Sequence, residues 1–212
     1  MHIPDGFLDT KTWVALDALA VGATALAVGR TRRVMGEKQI PLLGVLAAFI
    51  FAAQMVNFPV AGGTSGHFMG AALAAILLGP WSAVLVMTIV LIIQCLMFQD
   101  GGLTALGANM VNMGVIGAML AYGLYRGGQR ILGGGMRPRP VAVFGAAWMS
   151  IVLAASACAM ELAVSGTVPI GAALPAMAGV HALIGIGEGI ITVLVVGFIA
   201  QVRPDLLELQ KE

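Results

Sequence analysis

The chain is 212 residues long, 59% hydrophobic and only 10% charged, with a formal net charge of +1 and a mean hydropathy of +0.98. Water-soluble domains run about 45–50% apolar and about 25% charged, so this composition excludes an ordinary soluble globule. The small net charge provides no basic footprint for nucleic acid, and the lipid bilayer is the expected surrounding.

Residues 1–11, MHIPDGFLDTK, open the chain. They carry no basic leader and no apolar run, so they do not read as a signal peptide, and the terminus is expected to stay as synthesised. His2 is bulky, and terminal aminopeptidases prefer a small second residue, so Met1 is expected to remain. Apolar segments follow at roughly 12–29, 40–58, 67–79, 82–98, 103–125, 141–165 and 176–201. A full span takes about 20 apolar residues. The third segment is short and ends at Gly79-Pro80-Trp81, which predicts a partial span or a tight hairpin with the fourth. The expected fold class is therefore an all-α membrane protein, a polytopic bundle of about seven transmembrane helices. Short connections predict one domain over residues 1–212: an external N-terminus at 1–11, a helical bundle at 12–202 and a cytoplasmic tail at 203–212.

Basic residues orient this arrangement. With seven spans, Arg30, Arg32, Arg33, Lys38, Arg126, Arg130, Arg137, Arg139, Arg203 and Lys211 share one side, ten of the eleven basic residues, and Lys11 alone takes the other. The positive-inside rule puts the ten in the cytoplasm. The N-terminus and the loops 59–66, 99–102 and 166–175 are then expected outside, with the C-terminus in the cytoplasm. Ala18/Gly22, Ala25/Gly29 and Ala48/Ala52 have the spacing of small residues on one helix face. They read as ordinary intramolecular packing in preference to a docking face. Cys95 and Cys158 lie inside apolar runs and read as small buried residues.

The first two residues carry the most distinctive chemistry. A free Met1 amine, the His2 backbone nitrogen and the His2 ring Nδ1 can close two fused rings around one cation. With the amide proton lost, the three nitrogens lie roughly in a plane and leave a fourth corner open, a geometry that suits Ni(II) or Cu(II). His67 follows Gly62-Gly63-Thr64-Ser65-Gly66 and could fill that corner; it could equally be an interfacial histidine that hydrogen-bonds a neighbour. Asp17, Glu161 and Glu188 fall within or near hydrocarbon, and His181 lies two helical turns before Glu188. Ionisable groups at such depth are costly and face a bundle interior. They read as interhelical anchors, the alternative being a proton relay or a second metal site, and with it a proton-coupled secondary metal transporter. Asn109 and Asn112, three apart, are expected to share a helix face. With Asn57 and Ser65 they could surround a metal site and orient its histidines, or hold helices together. No G-x-x-x-x-G-K-[ST], H-E-x-x-H or G-x-S-x-G occurs, so neither ATP hydrolysis nor other enzymatic chemistry is expected of this chain.

The opening Met1-His2-Ile3-Pro4-Asp5-Gly6-Phe7-Leu8 resembles the start of the CbiM/NikM family, the nickel/cobalt substrate-binding components of energy-coupling-factor transporters. The resemblance continues through GGTSGHFM at 62–69, Gly79-Pro80-Trp81 and QDGGLTALGANMVN at 99–112. It implies capture of Ni(II) or Co(II) as the transported substrate, with Met1, His2 and His67 as ligands. It also implies a transmembrane coupling subunit, cytoplasmic ATPase subunits, often a small accessory membrane protein, and a prokaryotic plasma membrane.

Overall fold

The computed structural model describes residues 1–34, 36, 39–60, 64–134 and 137–208. Lys38, Gly62, Gly63 and Lys211 lie outside the described residues. The helices are α1 (Thr10–Val34), α2 (Gln39–Gln54), α3 (Ala71–Leu78), α4 (Pro80–Phe98), α5 (Leu106–Asn109), α6 (Gly117–Ile131), α7 (Pro140–Val164), α8 (Ile170–Val202) and α9 (Asp205–Glu208). A π-helical stretch at Met110–Ile116 joins α5 to α6. Five helices are long and apolar enough to cross a bilayer: Thr10–Arg33, Pro80–Phe98, Leu106–Ile131, Pro140–Val164 and Ile170–Val202.

The remaining apolar segments are shorter than a span. In α3 there are eight residues, about 12 Å of helix against a hydrocarbon core of about 30 Å. It is therefore a half-pass. All but its last residue are buried, and Gly79-Pro80 reverses the chain directly into α4. The second segment stops at Gln54 and gives way to a hairpin of β1 (Asn57–Val60) and β2 (Thr64–His67), antiparallel, with Asn57 opposite His67 and Pro59 opposite Ser65. An apolar run carried through Met55–Phe58 hid this small element in an otherwise helical fold. The last segment begins at Ile170, so only 166–169 of the expected 166–175 loop connects α7 to α8. Pro175 is tolerated because it sits in the second turn, where its missing N–H frees little more than the Gly171 carbonyl.

Helices in lipid gain nothing from burying apolar surface against each other and rely on close contact. Small residues supply it between α7 and α8: a Cβ added at Gly189 would stand 2.5 Å from the Phe144 ring. Trp148 ties the same pair by donating its indole N–H to the Ala182 carbonyl at 2.9 Å. The expected intramolecular packing of Ala18/Gly22, Ala25/Gly29 and Ala48/Ala52 is not what the structure has. All six are exposed on the outer faces of α1 and α2, because α1 buries Ala20, Ala27 and Thr31 instead. Cys95 and Cys158 are free and buried.

One end of the bundle gathers the N-terminal segment, the hairpin, the loop 99–105 and the turn before α8. Residues 1–3 are not on the surface there; they insert into the bundle and are buried.

Candidate metal centre

The N-terminal segment is held as a bound peptide. Ile3 donates its N–H to Asn109 Oδ1 at 2.8 Å. Its carbonyl accepts from Asn109 Nδ2 at 3.2 Å and from the Gly102 N–H at 2.8 Å. Asp5 accepts from the Leu103 and Thr104 N–H groups and from the Thr104 hydroxyl. The Thr104 hydroxyl is the main cause that holds its carboxyl below the usual carboxylate range. Further along, the Phe7 carbonyl accepts from the Thr167 hydroxyl. Gly102 is needed for the approach, since a Cβ there would lie 2.3 Å from the Asp5 nitrogen.

This clasp pushes Met1 and His2 against β2. Side chains two apart on a strand share a face, so Ser65 and His67 both meet the terminus. The Met1 amine donates to the Ser65 carbonyl and lies 3.2 Å from Ser65 Oγ and 2.9 Å from His67 Nε2. Ser65 Oγ also accepts from the His2 N–H at 3.2 Å and stands 3.4 Å from His2 Nδ1. The Met1 amine, the His2 main-chain nitrogen and His2 Nδ1 thus converge around one hydroxyl. The His2 and His67 rings stack with centroids 4.6 Å apart. Exposure is 0% at Met1, 4% at His2 and 1% at His67.

Burial sets the protonation of these groups. It lowers the Met1 amine to about 5 and, with the amine's charge as second cause, the His2 ring to about 3. His67 falls well below the usual histidine value, again through burial first. At neutral pH all three are uncharged. His67 donates Nδ1–H to the Phe68 carbonyl at 2.7 Å, which leaves the Nε2 lone pair aimed at the amine. His2 presents Nδ1 to Asp100 Oδ1 at 3.1 Å and Nε2 to Gln94 Oε1 at 3.1 Å. Asn57 steadies Asp100 by donating to its Oδ2 at 3.2 Å, and burial raises the Asp100 carboxyl above its usual value. An open cavity of about 730 Å³ leads to His2 from the outside, lined in part by Asp5, Asn57, Ser65, Cys95 and Asp100.

The other residues singled out in the sequence make their hydrogen bonds elsewhere, although His181 lies close enough to the amine and to His67 to interact with both electrostatically. Asn109 supports the terminus through its two hydrogen bonds to the Ile3 main chain. Asn112 is not beside the site: its Nδ2 donates to Glu161 at 2.6 Å. The wider turn of the π stretch rotates it off the face that Asn109 uses. Glu188 accepts from the Met69 and Gly70 N–H groups at 2.6 and 2.8 Å, which ties down the turn into α3 just past His67. Asp17 accepts from the Gly107 N–H at 2.8 Å. His181 turns Nδ1 to the Met177 carbonyl at 2.7 Å. Asp17, Glu161 and Glu188 each hold a separate partner, as anchors between elements do. Among the described residues no three His, Cys, Asp or Glu side chains form a metal cage. Gln94 and Asp100 were the partners least visible in the sequence; an acid directly behind the apolar run of α4, in Gln99-Asp100-Gly101-Gly102, is the signal that marks the second.

Residues 2–206 match the family model CbiM, described as a cobalt uptake substrate-specific transmembrane region. An Archaeoglobus fulgidus protein with the provisional name fused nickel transport protein NikMN is 45% identical over 210 residues, 98% of this chain and 68% of that one. The Rhodobacter capsulatus fused nickel transport protein NikMN is 36% identical, covering 98% of this chain and 64% of its own length. The crystal structure of a truncated transition metal transporter superposes with a TM-score of 0.88 at 34% identity, over 95% of this chain and 99% of that one. The chain belongs to the CbiM family of substrate-specific transmembrane proteins.

Proposed function

We propose that this chain captures Ni(II) or Co(II) as the transported substrate, in a planar four-nitrogen site made by the Met1 amine, the His2 amide, His2 Nδ1 and His67 Nε2. The observation that carries this is the convergence of those four nitrogens in one buried place. Two nitrogens about 2.0–2.1 Å from one cation, at right angles, stand about 2.8–3.0 Å apart; the Met1 amine and His67 Nε2 are 2.9 Å apart. Without the main chain there are only two imidazoles here, too few for a closed metal site. A coplanar set fits Ni(II) and disfavours tetrahedral Zn(II). Relatives named as nickel and cobalt transport proteins support the metals.

In this reading the end that holds the terminus faces outward, and the cation enters through the cavity beside Asp5 and Asp100. The chain lacks a phosphate-binding loop, so movement of the ion falls to partners: a transmembrane coupling subunit and cytoplasmic ATPases in an energy-coupling-factor assembly. A small accessory membrane protein is the further partner of this reading; relatives named fused nickel transport proteins, which this chain covers over only about two thirds of their length, support a second component. Residues 1–11, 12–202 and 203–212 serve as chelating terminus, bundle and cytoplasmic tail.

Calorimetry on the full chain, with its native terminus and with one residue added before Met1, tests the site. The extended chain is expected to lose tight Ni(II) binding while its thermal unfolding is retained. Equal affinities reject the terminal amine as a ligand.

A further inference from the structure

Helix α1 rests on α4, α5 and the π stretch, and α7 mainly on α6 and α8. Between α1 and α7 a cleft of about 490 Å³ stays open. Ala15 and Leu16 line one wall and Ala157 and Met160 the other. Two charges break this apolar lining: Lys11 in the first turn of α1 and Glu161 in the last turn of α7. Each stands one helical turn from the alanine of its own wall, so both lie at one end of the cleft and the apolar walls continue beneath them. Lys11 and Glu161 form no ion pair among the described residues. Asp9, the acid nearest Lys11 along the chain, directs both its oxygens at Thr12. Glu161 is half-buried. Its Oε2 accepts from Asn112 Nδ2 at 2.6 Å, and its Oε1 receives no hydrogen bond among the described residues. The Oδ1 of the same Asn112 amide is fully buried and has no partner. A carboxylate at the edge of hydrocarbon is costly unless it is paired, and a buried acceptor is costly unless it is bonded. Here both conditions call for a cation that brings several N–H groups.

We infer that this cleft binds a phospholipid with a primary ammonium headgroup, its ammonium at Glu161 and Asn112, its phosphate at Lys11 and an acyl chain between Leu16 and Met160. The match is one of sign and of order. Phosphatidylethanolamine carries an anion and a cation a few bonds apart, as the two charges of the cleft require, with its chains on the side of the apolar walls. Its ammonium has three donors, as that of lysine does, enough for the Glu161 carboxylate and Asn112 Oδ1 together. A choline head has the same charge but no N–H to give Asn112, and a glycerol head has no cation for Glu161. A transmembrane helix of a partner protein laid in the cleft would cover its walls but bring an apolar face to both charges. The lipid holds α1 to α7 and, through Asn112, to the π stretch. The inference does not depend on a cation at the metal centre.

Native mass spectrometry of the full chain, released from detergent with dioleoyl phosphatidylethanolamine, phosphatidylcholine or phosphatidylglycerol, tests it. The chain is expected to keep one ethanolamine lipid about tenfold more tightly than either of the others. Glu161→Gln leaves an acceptor for Asn112 Nδ2 and is expected to bring the ethanolamine lipid down to the choline level, with an unchanged thermal midpoint in phosphatidylcholine nanodiscs. Lys11→Ala is expected to weaken all three, since each carries a phosphate. Ala157→Trp, which fills the cleft, is expected to remove the tightly held lipid. Phosphoethanolamine without acyl chains is expected not to compete; displacement by it would assign the site to a soluble amine and overturn the inference. Equal retention of the three lipids, preference for the glycerol lipid, or an ethanolamine preference that survives Glu161→Gln also overturns it.

Discussion

A neutral imidazole has two nitrogens and one proton, and at His2 an acceptor oxygen faces each nitrogen. Gln94 Oε1 waits at Nε2 and Asp100 Oδ1 at Nδ1, both at 3.1 Å. A metal on Nδ1 requires the proton on Nε2, and Gln94 is the group that accepts it there. Partners that fix the tautomer of a ligating histidine are worth about 10–100-fold in metal affinity. Gln94→Leu, close in volume, is expected to weaken Ni(II) binding by that range in calorimetry without lowering the thermal midpoint; an unchanged affinity removes Gln94 from the site. Asp5 acts at the same scale on the main chain. Its three donors hold the carboxyl below its usual value, chiefly through the Thr104 hydroxyl, so the folded state favours the ionised form. The contribution is therefore complete above the unfolded carboxyl value of about 3.9 and is lost as pH falls through the lowered folded value. Exchange protection at Ile3 in the metal-free chain is expected to weaken as pH falls from about 8 toward 5, where the unseated Met1 amine takes up a proton that the seated one refuses, and to lose the Asp5 contribution below about pH 4. Asp5→Ala should remove only the part below about pH 4. That Met1, His2 and His67 meet was legible at the first two residues from their chelating chemistry, and at His67 only with the resemblance carried by the opening and by GGTSGHFM. Gln94 was not, because its role depends on which atom of a buried amide faces the ring.

At the scale of elements, the site is a strand face, a tethered strand-to-helix turn and a clasped peptide. Glu188 is buried and ties down the turn between β2 and α3 through the Met69 and Gly70 N–H groups. These lie immediately beyond His67-Phe68. Glu188→Ala leaves two buried donors unpaired, each at a cost of about 1–3 kcal/mol. A lower thermal midpoint together with weaker Ni(II) binding is expected. Glu188→Gln keeps one acceptor and should recover part of both, whereas a proton-relay carboxylate would recover neither binding nor transport in that form. The long helices were readable from hydropathy alone, since lipid demands continuous apolar runs. The hairpin was not, because four-residue strands that include Pro59 follow directly on the apolar end of α2. Nor was the π stretch: a helix wheel drawn at 3.6 residues per turn puts Asn109 and Asn112 together, and one wider turn sends the first to Ile3 and the second to Glu161.

At the scale of the whole molecule, the proposed function assigns capture to this chain and movement to its partners. Asp17, Glu161 and Glu188 bond the Gly107 amide, the Asn112 side chain and the Met69–Gly70 amides respectively. A proton-coupled carrier needs carboxylates that exchange protons between one side and the other, and these three are occupied in holding separate elements together. In the proposed site the buried terminus would grip a cation through main-chain nitrogens, and its release would require the clasp at Ile3 and Asp5 to open. Proteoliposomes that contain this chain alone are therefore expected to bind radioactive nickel stoichiometrically and to show no accumulation, with or without an imposed pH gradient. Addition of a coupling subunit and its ATPases, with ATP, should convert binding into uptake. Nickel accumulation driven by the gradient in the chain alone, abolished by Glu161→Gln, would return the ionisable trio to the centre of the mechanism and reduce the terminus to a capture device on a self-sufficient carrier.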